Sequence, residues 1–144
     1  MTVQRMDNVA IVVPDLDQAI EFFAELGLSL EGRADIEGRF ADQAVGLDGI
    51  RSEIAMMATP DGRGRLELTK YHAPAANDPG PAAPNTIGFH RVMFAVDDID
   101  DTIKRLSAHG GEVLGEVAQY ENIYRLCYLR GPAGFVIGLA EQIG

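Results

Sequence analysis

The sequence RVMFAVDDIDDTIKRLSAHGG, from Arg91 to Gly111, decides the fold because a similar stretch occurs earlier in the chain. NVAIVVPDLDQAIEFFAELGL runs from Asn8 to Leu28, and aligning the two matches their apolar positions, acidic residues and glycines. The two stretches are far enough apart for each repeated unit to occupy about half of the chain. The repeat therefore predicts two similar modules placed face to face. The matched pairs are Asp15 with Asp98, Leu16 with Ile99, Ile20 with Ile103, Phe23 with Leu106, and Gly27 with Gly110.

Each copy predicts a strand followed by a helix. Residues 9–13 are five apolar residues in a row, a pattern typical of a strand buried on both faces. Asp15 is a suitable N-cap with Gln18 as its capping partner, and Gly27 ends the helix. The second copy predicts a strand over 91–96 and a helix over about 99–108.

The remaining pattern completes two β-α-β-β-β modules within a single domain, residues 1–144. The weakly patterned segment 34–49 is predicted to be a loop with at most one helical turn. Module one covers about residues 5–72, a proline-rich linker about 73–86, and module two about 87–142. The other predicted strands are 28–33, 52–58 and 65–71 in module one, and 112–119, 124–130 and 135–140 in module two.

Composition limits the classes of function. The 144 residues include a single cysteine, Cys127, which excludes an intrachain disulfide and fits a cytoplasmic location. No apolar run is long enough to cross a bilayer, so we expect no membrane partner. The net charge of −10 argues against nucleic acid. It fits either a cationic ligand or simple solubility.

Strand alternation predicts which side chains face away from the helices. Residues 9, 11 and 13, and likewise 92, 94 and 96, should pack on the helices, as should the leucines and aromatic residue of the last strands. The opposite parity brings a small polar set to one concave face, with Gly138 leaving a gap beside it. That set is Asn8, Glu67 and Arg91, with Met93 among its apolar neighbours.

The doubled module, the openings VAIVVPDLDQAIEFFAELGL and VMFAVDDIDDTIKRLSAHGG, and the turns PDG and PAG resemble the vicinal oxygen chelate superfamily. That superfamily includes glyoxalase I, bleomycin-resistance proteins and extradiol dioxygenases. The resemblance covers almost the whole chain. It implies an α+β fold of two βαβββ modules whose mixed sheet forms a cup around a shared cavity.

Many members of the superfamily bind a divalent metal from the first and last strand of each module. The resemblance places those positions at Asn8, Glu67, Arg91 and Gly138. Only Glu67 is an ordinary metal ligand, since arginine has no lone pair to donate and glycine has no side chain. We therefore expect no cofactor, with Arg91 in place of the cation and paired with Glu67.

Two alternatives to this pairing remain. The two residues can form an ion pair in the pocket wall with no role in function. A one-residue register shift would instead bring His90 inward, and a single Ni, Zn, Mn or Fe ion would then bind Glu67 with Asn8 or His90.

Several other residues are candidates for contact with a ligand. Alternation places Tyr124 and Tyr128 on one face of their strand and Arg125 and Cys127 on the other, and the tyrosines suit a pocket rim or a subunit interface. His72 lies near the expected cavity mouth as a loop residue or an acid–base group. Tyr120, Tyr124, Arg125 and His72 join Asn8 and Met93 as predicted ligand-binding residues.

Three other features have structural interpretations. His109 is expected to interact with the C-terminal end of the second helix. The acidic run 97–101 is expected to cap the start of that helix rather than hold a metal. Cys127 has no evident base beside it and is expected to be a buried apolar residue.

The resemblance implies three functions. The first is a cytoplasmic homodimer that binds or sequesters a small molecule without a metal. The second is a lyase, isomerase or dioxygenase, either metal-dependent or metal-free with Arg91 as electrostatic stabiliser and Glu67 as base. The third is a dimerisation or regulatory module with an empty cavity.

Overall fold

Both repeated stretches fold as a strand followed by a helix. The computed structural model describes residues 2–144, which divide into two compact units, one ending at Asp78 and the other beginning at Pro79. The first unit contains β1 (Val9–Val12), α1 (Leu16–Leu26), β2 (Ser29–Glu37), α2 (Arg39–Val45), β3 (Arg51–Ala58) and β4 (Arg65–Ala73). The second contains β5 (Arg91–Ala95), α3 (Ile99–Ser107), β6 (Glu112–Val113), β7 (Ala118–Tyr120), β8 (Tyr124–Arg130) and β9 (Val136–Gln142).

Each unit forms one mixed sheet, as expected of the α+β class. The strand order is β1-β4-β3-β2 in the first unit and β5-β9-β8-β6 in the second, with β7 also paired to β8. In each sheet the first strand runs parallel to the last, β1 to β4 and β5 to β9, and the other pairs are antiparallel. Helix α1 packs on β2, β3 and β4, and α3 packs on β6 and β9. Within residues 2–144, no helix is both long and apolar enough to span a bilayer.

Both helices begin at the aspartates that the sequence identifies as caps. The Asp15 carboxylate accepts a hydrogen bond from the backbone N–H of Gln18 at 3.0 Å. The Asp98 carboxylate accepts one from the backbone N–H of Asp101, also at 3.0 Å. These bonds satisfy N–H groups that have no partner within the helix, so the predicted capping role of Asp98 in the acidic run is confirmed.

Both helices also end in the same way. The backbone N–H of Leu28 donates to the carbonyl of Phe23 at 2.9 Å, and that of Gly111 donates to the carbonyl of Leu106 at 2.9 Å. This hydrogen bond, from an N–H to the carbonyl five residues earlier, is typical of a Schellman motif, in which the residue before the donor has a positive φ. Gly27 fills that position in the first copy with a φ of 123°. The two copies therefore share their helix ends as well as their apolar pattern.

An arginine ties the start of each helix to its sheet. In the first unit Arg33, from β2, bonds Asp17 of α1 at 2.6 Å and Glu53 of β3 at 2.8 Å. In the second unit Arg125, from β8, bonds Asp100 of α3 at 2.8 Å. The two aspartates occupy matching positions of the repeat, whereas the arginines come from different strands.

The core of each unit lies between its helix and its sheet, as the alternation predicts. Side chains of the predicted helix-facing parity are half-buried or buried throughout the first strands. Phe22, which is not one of the matched positions of the repeat, is also fully buried, with its ring 5.1 Å from that of Phe23 in an edge-on contact. The most buried apolar residues include Val13, Leu16, Ala19, Met57, Leu66 and Leu68 in one unit, and Ile99, Leu106, Leu129, Ile137 and Leu139 in the other.

The predicted loop over 34–49 is wrong in part. Strand β2 continues to Glu37 because its backbone pairs with β3 over its whole length, from Ser29 opposite Ala58 to Glu37 opposite Arg51. Helix α2 follows it, with Ala41 buried. The strand predicted over 28–33 is thus present, and its continuation over 34–37 was missed because nearly all of its side chains are exposed and leave no apolar period in the sequence.

The single strand predicted over 112–119 is also wrong, because the structure divides it into β6 and β7. Val113 of β6 lies opposite Leu129 of β8, and Ala118 of β7 lies opposite Leu126 of β8. The segment 113–118 therefore contains more residues than the segment 126–129 that it lies beside. The extra residues, including Gly115, bulge out of the sheet. A glycine inside a strand pattern is a recognised sign of such a bulge.

Candidate functional site

The helix-distal face of each sheet, the side away from its helix, carries the residues that the alternation brought together. In the first unit, Glu67 on β4 lies opposite Ala10 of β1 and Met56 of β3. Asn8 is exposed and directly precedes β1. The Glu67 carboxylate is half-buried and accepts a hydrogen bond from the Thr69 hydroxyl at 3.3 Å.

In the second unit the helix-distal face is organised by Arg91 and Tyr128. Arg91 begins β5, and its guanidinium carbon lies 4.2 Å from the centre of the Tyr128 ring. Tyr128 belongs to β8, which is separated from β5 by β9. The side chain of Arg91 therefore extends over β9 and holds its charged group against an aromatic face, where a cation is favoured. Strand alternation in the sequence placed Tyr128 on the same face as Tyr124 but did not pair it with Arg91.

The predicted gap at Gly138 is not open. Gly138 lies between Met93 of β5 and Tyr128 of β8 in one row across the sheet. A Cβ atom added to Gly138 would lie 2.5 Å from the Cε of Met93. The prediction was wrong because it took the missing side chain as empty space, whereas a flexible methionine covers the glycine.

A cavity of about 520 Å³ opens beside Tyr128 within the second unit. This volume is in the usual range for small-molecule sites. The cavity was not predicted from the sequence because much of its lining comes from the linker and from the bulge between β6 and β7, which have no regular apolar pattern. The lining includes Pro84, Leu114, Glu116, Leu126, Tyr128 and Arg130.

Arg130 fixes one wall of this cavity. Its guanidinium donates to the backbone carbonyls of Gly134 and Ala82, each at 2.8 Å. The bond to Ala82 ties the linker segment to the end of β8, and the bond to Gly134 ties the turn between β8 and β9 to the same residue. Both acceptors are neutral, and within residues 79–144 Arg130 forms no ion pair with a carboxylate.

The predicted ligand-binding residues of β7 and β8 divide between the two faces. Tyr120 and Tyr124 lie opposite each other and are 59% and 43% exposed. Arg125 instead turns toward the helix, where it bonds Asp100 through two nitrogens and holds the pKa of that carboxyl below its usual range. This bonding gives Arg125 a structural role, and its contact with a ligand stays a prediction.

The remaining candidates lie apart from these groups. His72 is exposed near the end of β4, five positions beyond Glu67 and roughly 16 Å along the strand. It lines a separate small cavity of about 220 Å³ with Asp35 and Arg51. His90 is exposed and directly precedes β5. Cys127 is buried as expected, and burial raises the pKa of its thiol.

The four positions that the family resemblance assigns to metal ligands carry an amide, a carboxylate, a guanidinium and a glycine. Arg91 is held on Tyr128, Gly138 is covered by Met93, and Glu67 and Asn8 offer one carboxylate and one amide. Across the described part of the chain, residues 2–144, no group of three or more His, Cys, Asp or Glu side chains could hold a metal. The acidic run 97–101 is no exception.

Two modules that each open with a strand and a helix and each form a mixed sheet agree with the family resemblance of the sequence. The family model for the Glyoxalase/Bleomycin resistance protein/Dioxygenase superfamily matches residues 5–139. The chain therefore belongs to that superfamily, as its sequence resemblance implied.

Individual relatives agree with this assignment. A crystal structure of a glyoxalase family protein from Bacillus cereus is 54% identical, covers 100% of this chain and 97% of its own, and has a TM-score of 0.95. The putative glyoxylase CFP32 of Mycobacterium bovis is 29% identical over 112 residues, 78% of this chain. The present chain spans 41% of that relative.

More distant structures share the fold alone. The antibiotic binding protein TnmS3 from Streptomyces sp. CB03234 is 22% identical with a TM-score of 0.61, covering 99% of this chain and 98% of its own. The fosfomycin resistance protein FosX from Listeria monocytogenes is 13% identical with a TM-score of 0.66, covering 99% and 95%.

Proposed function

We propose that this protein binds a small organic molecule without a metal ion, on the helix-distal face of residues 79–144, and so sequesters or carries its ligand. The observation that carries the proposal is the stack of Arg91 on Tyr128 beside the cavity. A guanidinium at a position where relatives place a metal ligand repels a cation rather than coordinating it. The same fold serves an antibiotic binding protein in Streptomyces, so it is compatible with binding alone.

The cavity supports this proposal through its shape and lining. It is bounded by apolar side chains such as Pro84, Leu114 and Leu126, with Tyr128 and Arg130 as polar groups at its wall. Small-molecule sites usually combine a mainly apolar surface with a few placed polar groups that fix orientation. The tyrosine hydroxyl and ring can serve both purposes.

A ligand screen on metal-free protein tests the proposal. We expect compounds that raise the melting temperature equally with and without a chelator, because a ligand that binds the native state stabilises it. Tyr128→Leu should weaken this binding, while Arg105→Gln, on the exposed part of α3, should leave it unchanged. A stoichiometric divalent ion in protein purified without added metal, or binding that a chelator abolishes, would contradict the proposal.

The proposal also includes a cytoplasmic homodimer. The exposed pair Tyr120 and Tyr124 supplies aromatic surface of the kind that subunit interfaces use. Cys127 is a free thiol, in keeping with a reducing compartment. The molar mass in solution tests the assembly, and a monomer at micromolar concentration would refute it.

A metal-free or metal-dependent enzyme of the lyase, isomerase or dioxygenase type is the second candidate. The 54% identity to a glyoxalase family protein favours it, and Arg91 could stabilise an oxyanion while Glu67 acts as a base. Turnover of methylglyoxal–glutathione or a catechol, with and without Ni, Zn, Mn or Fe(II), distinguishes this candidate. Turnover that Arg91→Leu or Glu67→Gln abolishes would replace the binding proposal with the enzyme proposal.

A further inference from the structure

We propose that the ligand is an organic anion, a carboxylate or similar oxyanion on an apolar body, anchored by Arg91 with its body in the adjoining cavity. This inference rests on the proposed function, because it names the chemical class of the molecule held on the same face. It also reverses the first expectation from composition, in which a net charge of −10 fitted a cationic ligand.

Arg91 has the donors that such an anion needs. The guanidinium of Arg91 meets the Tyr128 ring through its positive charge, and this contact does not pair its N–H donors with an oxygen acceptor. Within residues 79–144 the structure gives Arg91 neither a hydrogen-bond acceptor nor a carboxylate partner. Planar guanidinium groups bind carboxylates through two parallel hydrogen bonds, and the Tyr128 ring supports the group that would make them.

The other arginines of this unit are already engaged. Arg125 bonds Asp100, Arg105 bonds Asp101 at 2.9 Å, and Arg130 bonds two backbone carbonyls. Arg91 is therefore the arginine of residues 79–144 whose donors remain available to a ligand.

Tyr128 connects the anchor to the cavity. Its ring supports the guanidinium of Arg91, and the same side chain lines the cavity beside Leu126. An acid group held by Arg91 would thus extend its apolar part over Tyr128 toward Leu126 and Leu114. One molecule can satisfy both features because they share this side chain.

Local charge favours an anion even though the whole chain is acidic. Arg91 and Arg130 both lie at this face, and the one carboxylate of the cavity lining, Glu116, is exposed on the bulge. Charges beyond about 8 Å are largely screened at physiological ionic strength. The net charge of −10, which is summed over the whole chain, therefore does not determine the sign of the charge that a ligand meets at this face.

Three probes with the same apolar body and different charge test this inference by calorimetric titration of chelator-treated protein at pH 7. They are 3-phenylpropanoate, 3-phenylpropanol and 3-phenylpropylamine. We expect the carboxylate to bind about 10- to 100-fold more tightly than the alcohol, the range given by hydrogen bonds to charged groups, and the amine to bind most weakly.

Arg91→Leu should reduce carboxylate affinity to that of the alcohol, and Arg91→Lys should recover only part of it because lysine lacks the planar fork. Arg105→Gln removes one positive charge away from this face and should change nothing. The salt dependence of binding is measured on the unmodified protein and so provides a test that does not require any variant to fold. Raising the salt concentration should weaken carboxylate binding and leave alcohol binding unchanged.

The outcomes separate this inference from the proposal beneath it. Equal or tighter binding of the alcohol or the amine would overturn the anionic class and leave small-molecule binding intact. Carboxylate binding that survives Arg91→Leu would likewise overturn the anchor. Failure of all three probes would count against the anion site, and the broader ligand screen would then decide whether the face binds small molecules at all.

Discussion

The guanidinium carbon of Arg91 lies 4.2 Å from the centre of the Tyr128 ring, so the first residue of β5 is stacked on a residue two strands away in the same sheet. An exposed contact of this kind contributes about 0.5–1 kcal/mol. A double-mutant cycle with Arg91→Leu and Tyr128→Leu should give a coupling free energy of that size in urea unfolding. Tyr128→Phe should keep most of the coupling, because the ring remains. A coupling near zero would show that the stack adds no stability.

The contact of Met93 with Gly138 makes a second prediction. Gly138→Ala places a Cβ atom 2.5 Å from the Met93 Cε, the far end of a flexible side chain that can move aside. We expect a loss of less than about 1 kcal/mol in the free energy of unfolding. At Gly131, an added Cβ would instead meet the ring of buried Phe135, and Gly131→Ala should cost about 1–3 kcal/mol. Equal costs at the two glycines would contradict this difference.

Asp100 gives a prediction about acid stability. Its hydrogen bonds from Arg125 lower the pKa of its carboxyl in the folded state. The stabilisation is therefore present above the unfolded pKa, about 3.9, and is lost as the pH falls through the lower folded value. Asp100→Asn should reduce the fall in melting temperature between about pH 5 and about pH 3, an interval that includes the unfolded pKa of the carboxyl. Asp97→Asn, an exposed neighbour in the same acidic run, should keep the fall seen in the unmodified protein.

Asp42 gives a prediction about the segment that follows α2. Its carboxylate accepts hydrogen bonds from the backbone N–H groups of Gly49 at 3.0 Å and Ile50 at 2.8 Å. Ile50 is only 3% exposed, so Asp42→Ala leaves a donor unsatisfied near the core and should cost about 1–3 kcal/mol. Asp42→Asn keeps one acceptor oxygen and should cost less. Asp48→Ala, in the same exposed turn, is the control, and an equal loss there would contradict the stabilising role of the two hydrogen bonds to Asp42.

The sequence predicted the parts of the fold that depend on buried side chains. The strand and helix of each copy were predictable because their apolar residues recur with the period of the element and because Asp15 and Asp98 cap the helices. Strand β2 was predicted only over 28–33, and its continuation to Glu37 was missed because backbone hydrogen bonds to β3 hold it while its side chains remain exposed. Backbone pairing of this kind leaves no pattern in the residue types.

The candidate site was predictable in its positions and less so in its contacts. Alternation placed Glu67, Arg91 and Met93 on the helix-distal faces, and the register agrees. The stack of Arg91 on Tyr128 depends on how far two long side chains extend, which alternation does not specify. The covering of Gly138 by Met93 was missed for the same reason. The pairing of Arg91 with Glu67 stays a prediction.

The arginine that ties each helix to its sheet shows how the two halves have diverged. Glu53 of β3 and Arg125 of β8 occupy matching sheet positions, because each precedes the residue opposite Thr69 or Ala140 in its own unit. A column-by-column alignment would score this pair as a charge reversal. The ion pair with the helix aspartate nevertheless persists, supplied by Arg33 in one half and Arg125 in the other. Similarity measured by residue identity therefore understates the likeness of the two halves, because the ion pair is retained although the residues that form it differ.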